Sequence, residues 1–196
     1  MYVPKHFEIQ EESELFSYIR INGFGQLISS VEGRLFSTPL PFVLSDDNQT
    51  LITHVARKNP QAGDLDGQEV LISLMGPHAY ISPTWYEKSG GVPTWNYQSV
   101  QVYGTAKVVN DRDRNKEIVE LMSTQFEGDL SEPWDMQYPT QMLDAILGIE
   151  ISISEIQGKY KLSQNRPAKD QQNVIRRLSK QGNKRLANEM NRFKKD

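Results

Sequence analysis

Apolar positions along the chain alternate between two rhythms, a helical spacing and a strand alternation of period two. Residues 11–21 carry Leu15, Phe16 and Ile19 on one side with acids in the first turn, which predicts a short helix. Residues 24–31, a Glu32-Gly33 turn and residues 34–44 read as a β-hairpin. Pro39 and Pro41 cannot donate ladder hydrogen bonds, so the second arm is expected at a sheet edge or as an irregular strand. After the Asp46-Asp47-Asn48 turn come a strand at 51–55 and a short helix near 60–65, with Pro60 at its first position. The apolar run 69–75 predicts a buried strand, and 78–82 a further short one broken at Pro83. A Ser89-Gly90-Gly91 loop leads into a long strand over 95–109, with Val100, Val102, Gly104, Ala106 and Val108 on one face.

Asn110 is expected to cap a helix reaching about residue 126, and a shorter helix follows at 140–147. Ile149, Ile151 and Ile153 alternate with Glu150, Ser152 and Ser154 as a strand, and a Gln157-Gly158 turn opens another over 159–163. Two helical patterns close the chain, marked by Val174, Ile175 and Leu178 and then by Leu186, Met190 and Phe193. Many short strands with hairpin turns and no βαβ alternation predict a mainly β, α+β protein with peripheral helices, built on a β-barrel.

Composition narrows the chemistry. The 196 residues contain no Cys and three His, which removes disulfides, thiolate metal sites and thiol nucleophiles. There is no G-x-G-x-x-G, P-loop, G-x-S-x-G or H-E-x-x-H, and His6, His54 and His78 lie far apart in sequence. No apolar run approaches the about 18 residues of a membrane span, so a cytoplasmic protein without a membrane partner is expected. The net charge of −3 conceals a division: residues 159–196 carry +9 and residues 1–158 carry −12. A basic tail of this kind either meets an anionic partner such as DNA or docks on the acidic body.

Polar and aromatic clusters sit at the predicted strand ends. His54, Arg57, Lys58 and Asn59 occupy the junction between a strand and a helix, where helix amides and a guanidinium fork suit a phosphate; a solvated charged turn is the other reading. Residues 76–86 and 92–97 are dense in aromatics, prolines and small polar groups, and suit either a cleft for a flat heterocycle or core and interface packing. Residues 161–167 combine amide, hydroxyl and cationic groups directly after a strand, and either close over a ligand or cap the strand.

In order, these segments resemble the PaiB-like family of FMN-binding negative transcriptional regulators. Met1-Tyr2-Val3-Pro4 with Phe7 resembles its M-Y-x-P-x-x-F, and Thr38-Pro39-Leu40-Pro41 its P-L-P arm. His54, Ala56, Asn59 and Pro60 resemble H-x-A-x-x-N-P; residues 76–86 resemble G-P-H-A-Y-I-S-P-x-W-Y. Residues 92–97 match V-P-T-W-N-Y and 161–167 match K-L-S-Q-N-R-P. The loop between Tyr86 and Val92 is short for the family, and nothing after Gln181 matches a motif.

The resemblance implies a split β-barrel over residues 1–166; the helical spacing and charge read above make residues 167–196 a basic helical C-terminal tail. The resemblance also implies a homodimer with FMN as cofactor. Arg57 and Lys58 would hold the phosphate, with His54 and Asn59 near the phosphate or ribityl chain. Ser37, Thr38 and Pro39 would border the ring. Trp95, Asn96, Gln164, Asn165 and Arg166 would complete the site. The function implied is repression of transcription; the charge of the basic C-terminal segment is an independent pointer to DNA as its partner. An FMN-dependent oxidoreductase, with His78 as a candidate acid or base, and a flavin-free interaction module are the other two readings.

Overall fold

The computed structural model describes residues 1–88, 91–128 and 130–194. The chain forms two compact units. Unit 1 comprises Met1–Glu12, Met75–Val100 and Gln157–Asp196; unit 2 comprises Ser13–Leu74 and Gln101–Ile156.

In unit 2 the antiparallel sheet runs in the order β3-β2-β6-β7-β8-β5-β4. Its elements are β2 (Phe24–Val31), β3 (Arg34–Pro41), β4 (Val43–Leu44) and β5 (Thr50–Ala56), with the unit 2 portions of β6 (Glu69–Ile81), β7 (Thr94–Val109) and β8 (Ile146–Lys161). β2 and β3 form the expected hairpin in full register, from Val31 opposite Arg34 to Phe24 opposite Pro41. Glu32 and Gly33 both take positive φ, 50° and 79°, the backbone that a tight two-residue hairpin turn requires. β3 ends the strand order, so its two prolines cost no ladder bond on the outer side.

The sheet buries Leu27, Leu51, Ile72, Leu74, Ile149 and Ile151. Each such side chain removed from water contributes about 1.5–3 kcal/mol before entropy is charged against it. Helix α1 (Glu12–Ile21) supplies Leu15 and Ile19, and its Arg20 donates to the Leu44 carbonyl at 3.0 Å. Helix α3 (Arg112–Glu127) supplies Ile118 and Met122, which pack with Val43, Ile52 and Val109. Its cap is Asp111, accepting from the Arg114 amide at 2.8 Å, one residue beyond the Asn110 expected from sequence. The helix expected at 60–65 is a single turn, α2 (Gln61–Asp64), and that at 140–147 is the 3-10 segment Thr140–Ala145.

Unit 1 holds β1 (Glu8–Ile9), the remaining parts of β6, β7 and β8, and helices α4 (Ala168–Lys180) and α5 (Lys184–Arg192). β1 pairs with β8 through Glu8 opposite Lys159 and Ile9 opposite Gly158. The C-terminal helices are part of this unit's core: Val174, Leu178, Leu186, Ala187 and Met190 are all buried. Phe193 meets the fully buried Tyr160 edge to face at 5.1 Å between ring centroids. Gly182, at φ 85°, ends α4, and the Asn183 amide bonds back to the Leu178 carbonyl at 2.9 Å, the six-residue closure of a glycine-terminated helix. The tail therefore docks by its apolar faces while most of its cations remain in solvent.

Two boundaries differ from those expected. The strands at 69–75 and 78–82 are one strand, β6; it buries Val70, Ile72 and Leu74, then Ala79 and Ile81, so the buried parity switches around Gly76-Pro77. The turn expected at Gln157-Gly158 is instead strand, because Gly158 lies opposite Ile9 in the β1 ladder. Ser89 and Gly90 of the expected loop lie outside the described residues. Among the described residues no helix is long and apolar enough to cross a membrane.

Candidate functional site

The candidate residues fall into two groups, one in each unit. Unit 2 holds Ser37, Thr38, Pro39, His54, Arg57, Lys58 and Asn59; unit 1 holds Trp95, Asn96, Gln164, Asn165 and Arg166.

In unit 2 the end of β5 and the turn into α2 lie beside β3. Asn59 donates from Nδ2 to Thr38 Oγ1 at 3.0 Å, and Thr38 Oγ1 in turn bonds Gln61 Oε1. Gln61 is fully buried and donates to Ser29 Oγ at 2.7 Å and to the Leu27 carbonyl at 3.3 Å. Asn59 Oδ1 accepts from the Gln61 amide at 3.0 Å, and the Ala62 amide bonds the Asn59 carbonyl at 2.9 Å. The amides expected to greet a phosphate at this helix start are thus already paired, and the anion-binding capacity rests on side chains. Ser37 is exposed and donates to Gln26 Oε1 at 2.8 Å, while Pro39 faces solvent opposite Gln26 on the edge strand.

Arg57 and Lys58 supply that capacity. Arg57 Nε and Nη2 hold the carbonyls of Asp144 and Ile146 at 3.0 and 3.2 Å, and the Arg57 amide bonds the Ala145 carbonyl at 2.8 Å. Two of its guanidinium nitrogens are thereby fixed on backbone, which orients the fork and leaves Nη1 to donate outward. Lys58 is exposed, and its side chain has no hydrogen bond or ion pair among the described residues. A preorientated guanidinium beside a free ammonium is a donor set that fits a phosphate dianion.

His54, on β5, packs against α3. Its Nδ1 sits 3.4 Å from Met122 Sδ on α3, and burial pushes the imidazole pKa below its ordinary value of 6.5. On consecutive positions of β5, Thr53 donates to the Pro41 carbonyl at 2.6 Å while His54 turns to α3.

In unit 1, Trp95 is exposed and lies 6.2 Å, centroid to centroid, from both His78 and Tyr80. The next residue, Asn96, points inward: it is buried and donates to Ser163 Oγ at 2.9 Å, with Met190 Sδ at 3.4 Å. Gln164 braces its own turn, donating to the Tyr160 carbonyl at 2.6 Å and accepting from the Leu162 amide at 2.7 Å. Asn165 is exposed, and the Arg166 guanidinium lies over the Tyr86 ring at 4.4 Å. Lys161 donates to the Trp95 carbonyl at 2.7 Å; burial, then the charges of Lys159 and Arg166, lower its pKa.

Gln61 and Ser163 are the members of these networks that sequence reasoning passed over. Ser163 lies within the K-L-S-Q-N-R-P run, and its φ of 68° marks it as a special backbone position. Gln61 carries no local signal, since its partners Leu27 and Ser29 are more than 30 residues away.

A protein-family model described as "Putative FMN-binding domain" matches residues 1–155. The chain is 37% identical over 191 residues to the protease synthase and sporulation protein PAI 2 of Bacillus subtilis, covering 93% of this chain and 91% of that one. It is 32% identical over 212 residues to an uncharacterized protein of Emericella nidulans, covering 83% and 84% of the two chains. Among solved structures, the flavocytochrome Anf3 from Azotobacter vinelandii matches with TM-score 0.65 at 15% identity, covering 81% of this chain and 72% of that one. The FAD and heme binding protein from Mycobacterium smegmatis matches with TM-score 0.63 at 14% identity, covering 79% and 73%. At these identities the structural likeness concerns the fold, the split β-barrel with peripheral helices. The Gln164–Arg166 run and both C-terminal helices lie beyond the residues that the family model matches.

Proposed function

The chain belongs to the FMN-binding domain family, and from that premise we propose that it is a homodimeric repressor of transcription that uses FMN as cofactor or sensor. The observation that carries the flavin part is the pair Arg57 and Lys58, one orientated by backbone carbonyls and one free, at the end of β5. FMN brings a phosphate that this pair would hold, with Asn59, Thr38 and Ser37 beside it. When bound, FMN supplies reversible one- or two-electron transfer; the protein contributes binding and orientation.

Two surfaces support the rest. The Trp95 and Tyr80 rings are 53% and 45% exposed, large apolar area for unit 1 to leave in solvent and suited to a second copy. The exposed cations of the C-terminal helices suit a nucleic-acid backbone. Truncating the tail is a poor test, because it would open the core of unit 1 at Val174, Leu178 and Met190. Charge reversal at Lys184 and Arg185, both exposed, leaves that core intact.

The deciding experiment measures duplex DNA binding by the full-length, FMN-loaded protein between 50 and 200 mM salt, about the range over which phosphate contacts lose most of their affinity. Binding that weakens steeply with salt, and weakens further in Lys184→Glu with Arg185→Glu, is expected. Rapid anaerobic oxidation of a nicotinamide donor with no DNA binding would instead establish the oxidoreductase.

A further inference from the structure

Helix α4 carries a stripe that neither the flavin site nor the core uses. Asn173, Arg176, Arg177 and Lys180 recur at spacings of three and four, so they share one face of the helix. Together with Thr84, Trp85 and Tyr86 they line a cleft of about 290 Å³ in unit 1. The opposite side of α4 is spent on packing, through Val174 and Leu178.

Three features distinguish this cleft from an ordinary basic helix face. First, the side chains of Arg176, Arg177 and Lys180 are exposed and have no ion pair or hydrogen bond among the described residues, whereas Lys169 on the same helix is paired with Glu87. Like charges gathered on adjacent turns repel one another, and an anion between them relieves that repulsion. Second, the wall contains Tyr86, only 8% exposed, whose hydroxyl finds no hydrogen-bond partner among the described residues. A buried hydroxyl without a partner is uncommon and costly, and Tyr86 belongs to the lining of this cleft. Third, the nearby carboxylate is turned to another task, since Asp170 Oδ1 accepts the Glu87 amide at 2.8 Å. Arg177 and Lys180 stand in the last turn, where cations complement the carbonyl end of a helix. That accounts for their sign, but not for Arg176, the half-buried Asn173 or the concave wall.

We propose that this cleft is a binding site for a small phosphorylated ligand, a phosphomonoester or diphosphate, additional to the flavin phosphate proposed at Arg57 and Lys58. Two arginines offer forked donors to phosphate oxygens, Lys180 adds a point charge, and Asn173 adds an amide donor. The half-buried Trp85 gives the organic part of the ligand an apolar wall. At this volume the cleft is near the lower end of small-molecule sites, large enough for a phosphate group and a modest attachment. A recess, not a ridge, suits a small molecule better than a duplex backbone. The site stands on residues of unit 1 alone and does not rest on the flavin or DNA assignments.

The test is calorimetric titration of the full-length, FMN-loaded protein with inorganic pyrophosphate and, separately, with a nucleoside monophosphate. Saturable binding of one anion per chain is expected. A variant carrying Arg176→Gln, Arg177→Gln and Lys180→Gln should lose it by at least about tenfold while keeping its FMN affinity. All three side chains are exposed, so the variant should fold; its melting temperature without ligand checks this. No saturable binding by the wild type, or undiminished binding by the triple variant, would overturn the proposal. So would displacement of FMN by pyrophosphate, which would make the cleft part of the flavin site. Loss of duplex DNA affinity in the triple variant, with pyrophosphate ignored, would reassign the stripe to DNA.

Discussion

Asn59 holds Thr38 across the gap between the start of α2 and the edge strand β3, through an Nδ2–Oγ1 hydrogen bond of 3.0 Å. The bond ties together two segments 21 residues apart that the sequence presented as separate motifs. It also fixes the turn from which Arg57 and Lys58 extend. The network ends on Gln61, whose buried amide is spent on Thr38, Ser29 and Leu27.

Replacing Asn59 by Ala should therefore cost more than one exposed hydrogen bond. It removes the donor to Thr38 and the acceptor of the Gln61 amide together. A loss of about 1–3 kcal/mol is expected, which for a chain of this size lowers the melting temperature by about 2–4 °C per kcal/mol. Thr38→Val should act in the same direction by stranding Gln61 Oε1. Scanning calorimetry of both variants checks this, and unchanged transitions would show that the network bears no strain.

Arg57 and Lys58 should separate in their effects. Lys58→Ala removes a free cation, so FMN affinity should fall by about 1.5–3 kcal/mol, tenfold or more, with apoprotein stability unchanged. Arg57→Ala should lower both, because its guanidinium also clamps the Asp144 and Ile146 carbonyls. Flavin fluorescence titration beside thermal melts reads the two quantities independently. Full FMN affinity in the double variant would remove the phosphate from this corner.

The hairpin was legible because Glu32-Gly33 names its own turn and the flanking residues alternate. The edge position of β3 was legible because Pro39 and Pro41 cannot serve a central strand. What local pattern could not reveal was strand continuity. Gly158 looks like a turn residue until β1 arrives opposite it from the far end of the chain. Pro77 looks like a breaker, yet β6 continues through it with a change of buried parity. The candidate site is legible as residue types and not as contacts: Arg57 and Lys58 stand out by charge, whereas the burial of Asn96 depends on Ser163 and Met190, 67 and 94 residues away.

Gly104 tests the close packing of β7 against β8. A Cβ built there would stand 2.4 Å from the Ser152 carbonyl oxygen and 2.7 Å from Ile151 Cγ2. The first obstacle is backbone, which cannot turn aside as a side chain can. Gly104→Ala should destabilise by about 1–3 kcal/mol or more, in contrast to the gain alanine usually brings to an unstrained position. Denaturant unfolding measures this, and a neutral result would mean that the two strands separate easily.

His54 should give unit 2 a pH dependence of definite sign. Burial disfavours the imidazolium, so the folded-state pKa lies below the ordinary 6.5. Above 6.5 the ring is neutral in both folded and unfolded chains, and its full contribution to stability is present. As pH falls below that value the unfolded chain takes up the proton first, and stability is lost until the pH passes the lowered pKa. Met122 Sδ, 3.4 Å from Nδ1, is only a weak hydrogen-bonding partner and offers no negative charge to reverse this. His54→Leu should therefore flatten the fall in melting temperature between about pH 7.5 and 5.5, while changing FMN affinity less than Lys58→Ala does. If His54→Leu instead abolished flavin binding and left the pH profile intact, the histidine would belong to the ligand site and not to the packing of β5 on α3.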